Sequence, residues 1–302
     1  MRSIRGRLTK FIALTTSTLF MFSVVSTLAA PLAGAVTTQV PSSIFYLAVG
    51  ASFSVGVQPT STDPTAHPTE HGYTNDLVAL EAAKGVTLTL THVGCPGDST
   101  TNVLFGDPCY PQPTTQLTTA VAFLQAHFND RGLVTIDLGF NNINGCLTGM
   151  TVDQTCLNKK LLIMTSELTT IVATLKSAAG PHVTFIGVNH YNPYFADSIR
   201  GSKGQHFAHL SSDVFSDFNA ALKSVYDHNS VPLANVSKVF HDSVYGSGVN
   251  VSSYGRVHGY LATTCKLTWM CRSSRYGPNL HPTNAGYQAI ARAIDAVLPT
   301  SW

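Results

Sequence analysis

Charge is scarce in this chain: Lys, Arg, Asp and Glu make up 11% of its 302 residues, against roughly 25% in an average globular protein. Ser, Thr and Asn supply the polar surface instead. Part of the basic charge is also gathered in one place. Arg2, Arg5, Arg7 and Lys10 precede an uncharged stretch from Phe11 to Ala30, and Ala33-Gly34-Ala35 follows with the small side chains of a signal-peptidase site. Residues 1–35 are therefore expected to be an export signal. Without them 14 basic residues face 16 acidic ones, a formal charge of −2. The rival reading, an uncleaved anchor, suits the apolar length but not the many Thr and Ser residues or the cleavage site. No cysteine near the cut offers a lipid attachment point, so no stable membrane anchor is expected after cleavage. No Lys/Arg cluster survives in residues 36–302, which argues against a nucleic-acid partner.

Other signals are missing too. The six cysteines include no CxxC pair, so the usual zinc spacing is absent. In an exported chain they are expected as disulfides, and six cysteines allow 15 pairings. Spacing favours Cys95 with Cys109, Cys146 with Cys156 and Cys265 with Cys271, each closing a short loop that contributes up to about 3 kcal/mol. No glycine-rich phosphate loop follows the first apolar run, which speaks against a nucleotide or redox module. With no internal repeat and no long linker, residues 36–302 are expected to form one domain.

What is present is an alternation of two periods. Ile44 to Val49, Val86 to Val93, Val134 to Leu138, Val183 to Val188 and, more weakly, Val236 to Phe240 predict buried strands. Between them Leu157, Leu161, Met164, Leu168, Ile171 and Leu175 keep helical spacing until Gly180-Pro181, and Tyr287, Ile290, Ile294 and Val297 do so before Pro299. Strand then helix, repeated, predicts a three-layer α/β sandwich around a five-stranded parallel sheet, with the loops after the strands gathered on one rim. Gln58 to Glu70, Asp98 to Pro113 and Ser243 to Gly277 lack clear periodicity and read as surface loops.

The strand-end loops carry the candidate chemistry. Ile44 to Val49 breaks into Gly50-Ala51-Ser52-Phe53-Ser54, which differs from the Gly-x-Ser-x-Gly elbow because Ser54 takes the second glycine position. Alone, such a turn could equally be a helix cap. After the second strand, Gly94-Cys95-Pro96-Gly97-Asp98 can present a bare main-chain N–H to a developing oxyanion. After the third, Asp137-Leu138-Gly139-Phe140-Asn141-Asn142 places an amide side chain at the same rim. Near the C-terminus stands His281-Pro282-Thr283-Asn284.

Three such loops in order, with a late His-Pro, resemble the SGNH/GDSL hydrolase family over most of residues 36–302. The resemblance implies the flavodoxin-like SGNH hydrolase fold and a secreted esterase or lipase. It makes Ser52 the nucleophile, His281 the base, and the Ser52 and Gly97 N–H groups with the Asn141 side chain the oxyanion hole. Three acids of the family pattern are replaced: by Ala51 beside the nucleophile, by Asn142 after the oxyanion asparagine, and by Pro278 three residues before the base. Lacking that last acid, the His281 ring is expected to lean on the Pro278 carbonyl or the Asn279 side chain.

Further motifs compete for attention. His67-Pro68-Thr69-Glu70-His71 matches an inverted zinc-peptidase pattern, but Pro68 in a Pro/Thr-rich loop denies it the helix those ligands need. No metal and no cofactor are expected. His190-Tyr191-Asn192-Pro193-Tyr194-Phe195 offers aromatics that line a substrate pocket or simply fill the core. Asn235-Val236-Ser237 and Asn250-Val251-Ser252 are glycosylation sequons in a eukaryotic setting. The expected partner is a small-molecule, lipid or acylated-sugar ester and the expected state a monomer; the alternatives are a carbohydrate O-deacetylase and a non-catalytic binding protein on the same scaffold.

Overall fold

Seven consecutive buried residues place β1 (Ile44–Gly50) at the heart of the sheet, because only a strand covered on both faces can be apolar throughout. It pairs in parallel with β2 (Leu88–His92) on one side and with β3 (Gly132–Asp137) on the other, where Gly50 stands opposite Asp137. Beyond β3 come β4 (Val183–Val188) and the two-residue β5 (Leu233–Ala234), giving the all-parallel order β2-β1-β3-β4-β5. In this flavodoxin-like order the connections depart from β1 to opposite sides. A crevice therefore opens beyond the carboxyl ends of β1 and β3. The computed structural model describes residues 43–300 except 107, 241–248, 252–254, 258, 273 and 274. The expected export signal lies outside the described residues.

The helices are, in chain order, α1 (Tyr73–Ala83), α2 (Thr100–Phe105), α3 (Gln116–Ala126), α4 (Phe140–Ile143), α5 (Gln154–Ala178), α6 (Gly201–His228), α7 (Val236–Val239), α8 (Gly259–Leu267) and α9 (Asn284–Asp295). Alternation along β1 divides the core between two layers. Phe45, Leu47 and Val49 join α3, α5 and α6 on one face, whereas Ile44, Tyr46 and Ala48 join α1, α7 and α9 on the other. The expected three-layer sandwich is thus present.

Three local expectations change. Val236 to Phe240 is the helix α7 and its following residue, and the fifth strand lies just before it, at Leu233–Ala234. Asn235 decides this by accepting the Lys238 N–H at 3.0 Å, a cap that starts a helical turn and buries Val236 and Phe240 on one side. Within Asp98 to Pro113, α2 forms because Ser99 and Asn102 make a reciprocal capping box. The Ser243 to Gly277 stretch lies partly outside the described residues, yet it contains the antiparallel pair Val249–Val251 and Gly255–Val257, then α8 and β6 (Thr268–Trp269). In α8, Tyr260, Leu261, Thr264 and Leu267 are buried at helical spacing, a period disguised by threonine. β6 pairs antiparallel with β7 (Asn279–Pro282), the strand that carries His281. Cys95–Cys109, Cys146–Cys156 and Cys265–Cys271 are all disulfide-bonded.

Candidate active site

The three strand-end loops meet through polar contacts. Ser52, half-buried, lies in the turn after β1, where its carbonyl accepts the Val57 N–H at 2.9 Å. Ser54 is fully buried, and its hydroxyl donates to the Ala51 carbonyl at 2.8 Å, closing the turn from beneath. This is why a serine occupies the elbow's second glycine place. Gly94 must then be glycine, since a Cβ there would lie 2.0 Å from Ser54 Oγ.

Gln116 at the start of α3 wires these loops together. Its Oε1 accepts the Gly50 N–H at 2.9 Å, and its Nε2 donates to the Gly50 carbonyl at 3.0 Å and to Asp98 Oδ2 at 2.8 Å. The Asp98 main-chain carbonyl in turn accepts Asn141 Nδ2 at 3.0 Å. A continuous path therefore runs from the end of β1 to the amide of Asn141. One Nδ2 hydrogen is used in this way, and Nδ2 makes no second hydrogen bond among the described residues. Gly97 has φ +89° and nothing within 4 Å of a built Cβ, so its turn is open and suits glycine. Asn142, replacing the family's acid, accepts the Thr100 N–H at 3.0 Å and donates to Thr100 Oγ1 at 2.8 Å; that hydroxyl donates onward to Glu167. An amide serves both directions of this buried exchange.

His281 approaches from β7. Its Nδ1 lies 2.8 Å from Asn279 Oδ1, which also accepts the His281 N–H at 3.0 Å. Of the two acceptors expected, the ring engages the Asn279 side chain, and the Pro278 carbonyl takes no hydrogen bond from it among the described residues. A carbonyl oxygen at Nδ1 implies a proton there, leaving Nε2 as the basic nitrogen. Burial pushes the His281 pKa down to about 4, so the ring is neutral at physiological pH. The Ser52 hydroxyl makes no hydrogen bond among the described residues. The two loops instead meet through Phe53, whose ring lies 6.4 Å from the His281 ring, and pairs of this kind commonly tighten only when substrate binds.

His190 sits where the two loops converge. Its ring stacks between Phe53 at 4.6 Å and Phe140 at 4.4 Å, the neighbours of Ser52 and Asn141. Nδ1 is 2.7 Å from the Tyr191 carbonyl, and burial lowers its pKa to about 4. The aromatics that follow it turn inward: Tyr191 stacks on Phe240 at 4.1 Å, and Phe195 lies 4.6 Å from Tyr260. They fill the core. Gln116 had no local signal that set it apart, and the motifs that hold Asp98 and His190 gave no sign of the roles these residues take, because each acts through contacts distant in sequence.

An open sheet whose first three strand-end loops join at the switch point, with His281 reaching the first of them through Phe53, suits hydrolases that work by acyl transfer. Residues 48–289 match the model of the GDSL-like lipase/acylhydrolase family, and the chain belongs to that family of ester-bond hydrolases. In fold it is similar to the extracellular lipase of Streptomyces rimosus, with TM-score 0.55, 17% identity and coverage of 85% of this chain and 100% of that one. It is also similar to the lipase Lip_vut3 from a goat rumen metagenome, with TM-score 0.53, 15% identity and coverage of 84% and 97%. Phospholipase A1 of Streptomyces albidoflavus NA297 follows at TM-score 0.50 and 14% identity, with 85% and 100% covered. No curated protein sequence matches the chain.

Proposed function

We propose that this protein is an exported serine esterase or lipase, processed after residue 35, in which Ser52 is the nucleophile and His281 the base. The observation that carries the reading is the Gly50–Gln116–Asp98–Asn141 hydrogen-bond path, which ties the serine turn to the glycine turn and the asparagine amide. His281 Nε2 takes the proton of the Ser52 hydroxyl, and Oγ attacks the ester carbonyl. The N–H groups of Ser52 and Gly97 and the Asn141 amide receive the oxyanion. His281 then returns the proton to the leaving alcohol, and water releases the acyl group by the same steps.

Asn279 holds the imidazole tautomer but brings no negative charge to the imidazolium that forms. Turnover is therefore expected to be slower than with a carboxylate in that place. The test is fluorophosphonate labelling of oxidised protein from Val36 onward, with peptide mapping. Label on Ser52 that disappears in His281→Ala supports the proposal, and a folded protein that takes no label refutes it in favour of a binding module.

A further inference from the structure

Asp137, half-buried as a residue, ends β3 directly opposite Gly50, and its carboxyl meets the serine turn. Oδ1 accepts the Ala51 N–H at 3.2 Å, while Oδ2 is buried with no hydrogen-bond partner among the described residues. The fit over Gly50 is close: a Cβ there would lie 1.3 Å from Asp137 Oδ1. An unpartnered buried carboxyl oxygen is a standing cost, so its retention beside the candidate nucleophile calls for a role. We propose that Asp137 is a positioning residue, whose carboxyl occupies the place left by Gly50 and holds the turn that presents Ser52.

The surroundings determine how it does so. Among the described residues, the titratable groups that interact with Asp137 are Tyr46 on β1, Tyr73 on α1, Tyr226 on α6 and Tyr287 on α9, and none is a cation. Their hydroxyls are engaged elsewhere. Tyr46 and Tyr73 meet Thr135 Oγ1 at 3.0 and 3.2 Å, Tyr226 donates to the Ile136 carbonyl at 3.1 Å, and Tyr287 to the Val57 carbonyl at 2.8 Å. Burial raises the Asp137 pKa well above the carboxylate range, although the N–H groups of Ala51 and Ser54 favour the charged form. Burial therefore favours the neutral acid over the carboxylate. Because its folded pKa is raised, its contribution to stability is complete at low pH and is lost as pH climbs from the unfolded value, near 4, towards the folded one.

The inference rests on the acyl-transfer reading for its catalytic meaning, but the hold on the turn has its own readout. The experiment compares wild type, Asp137→Asn and Asp137→Ala by the rate of fluorophosphonate inactivation across pH, and by guanidinium unfolding midpoints at the same pH values. Asp137→Asn keeps an acceptor for Ala51 and is expected to label within about threefold of wild type at neutral pH, with no alkaline loss. Asp137→Ala should label about 100-fold more slowly, the scale of a misplaced reacting group. The midpoint of Asp137→Asn should rise relative to wild type as pH increases, and this comparison stands even if Asp137→Ala does not fold. The proposal is overturned if folded Asp137→Ala labels at the wild-type rate, or if the difference in midpoint between Asp137→Asn and wild type does not change with pH. Failure of wild type itself to label would refute the acyl-transfer reading, whereas the midpoints would still report on Asp137.

Discussion

At the scale of single residues, the site replaces charge with amides. Asn142 meets Thr100 through both ends of its side chain, which a carboxylate could not do without a proton. Asn279 orients His281 in the same neutral manner. Introducing a charge there has a definite sign. Asn279→Asp places an anion against Nδ1 and should raise the His281 pKa above its wild-type value of about 4. The acidic limb of the pH–rate profile should move upward accordingly, with a higher plateau; a limb that stays in place would show that His281 is not the titrating base. On the proposed acyl-transfer reading, Asn141→Ala removes one oxyanion donor and should lower kcat about 10²- to 10³-fold, equivalent to about 2.7–4 kcal/mol. It also deletes the bond to the Asp98 carbonyl, a net loss of only about 1 kcal/mol. Steady-state kinetics beside a melting curve separate the two effects, and unchanged turnover would refute the assignment.

At the scale of elements, each disulfide lies near a loop of the site. Cys95–Cys109 begins two residues before Gly97, Cys146–Cys156 closes the segment after α4, and Cys265–Cys271 joins α8 to the stretch just after β6. The sheet does not depend on them, because its strands are paired through their own ladders and β1 and β3 at its centre are almost wholly buried. Graded reduction is therefore expected to lower turnover before it lowers the helical circular-dichroism signal, and simultaneous loss of both would contradict this. The elements also show where sequence patterns mislead. Val236 to Phe240 has the composition of a strand, but a capping asparagine before it and room for only two residues on the β5 edge make it a helical turn. In α8, buried Thr264 and half-buried Thr263 hide an amphipathic helix, since their hydroxyls donate back to main-chain carbonyls one turn earlier.

At the scale of the whole molecule, buried ionisable groups give stability opposing responses to pH. His190 and His281 have folded pKa values of about 4 against about 6.5 when unfolded, so the unfolded chain binds more protons between these limits. Stability should fall as pH drops through that window, by up to about 3 kcal/mol for each histidine. Asp137 acts in the opposite direction. Guanidinium unfolding midpoints should therefore decline from pH 7 to pH 4.5, and His190→Gln should flatten the decline; an equal slope in the variant would remove His190 from the account.

Strand–helix alternation, the central apolar strand, the cysteine spacing and the candidates Ser52, Gly97, Asn141 and His281 were all readable in the chain. Each is a local signal, carried by periodicity or by residue types at short spacing. Gln116 was not, and the partners of Asp98, Asp137 and His190 were not, although these three stand in motifs the chain displays. Gln116 stands 66 positions from Gly50, and Asp137 stands 86 from Ala51. Their meaning arises only when parallel strands, joined by crossover helices, bring the ends of β1 and β3 side by side. Local sequence thus determined which side chains could do chemistry, and the tertiary structure decided which groups hold them in place, because a hydrogen bond depends on distance in space and not on separation along the chain.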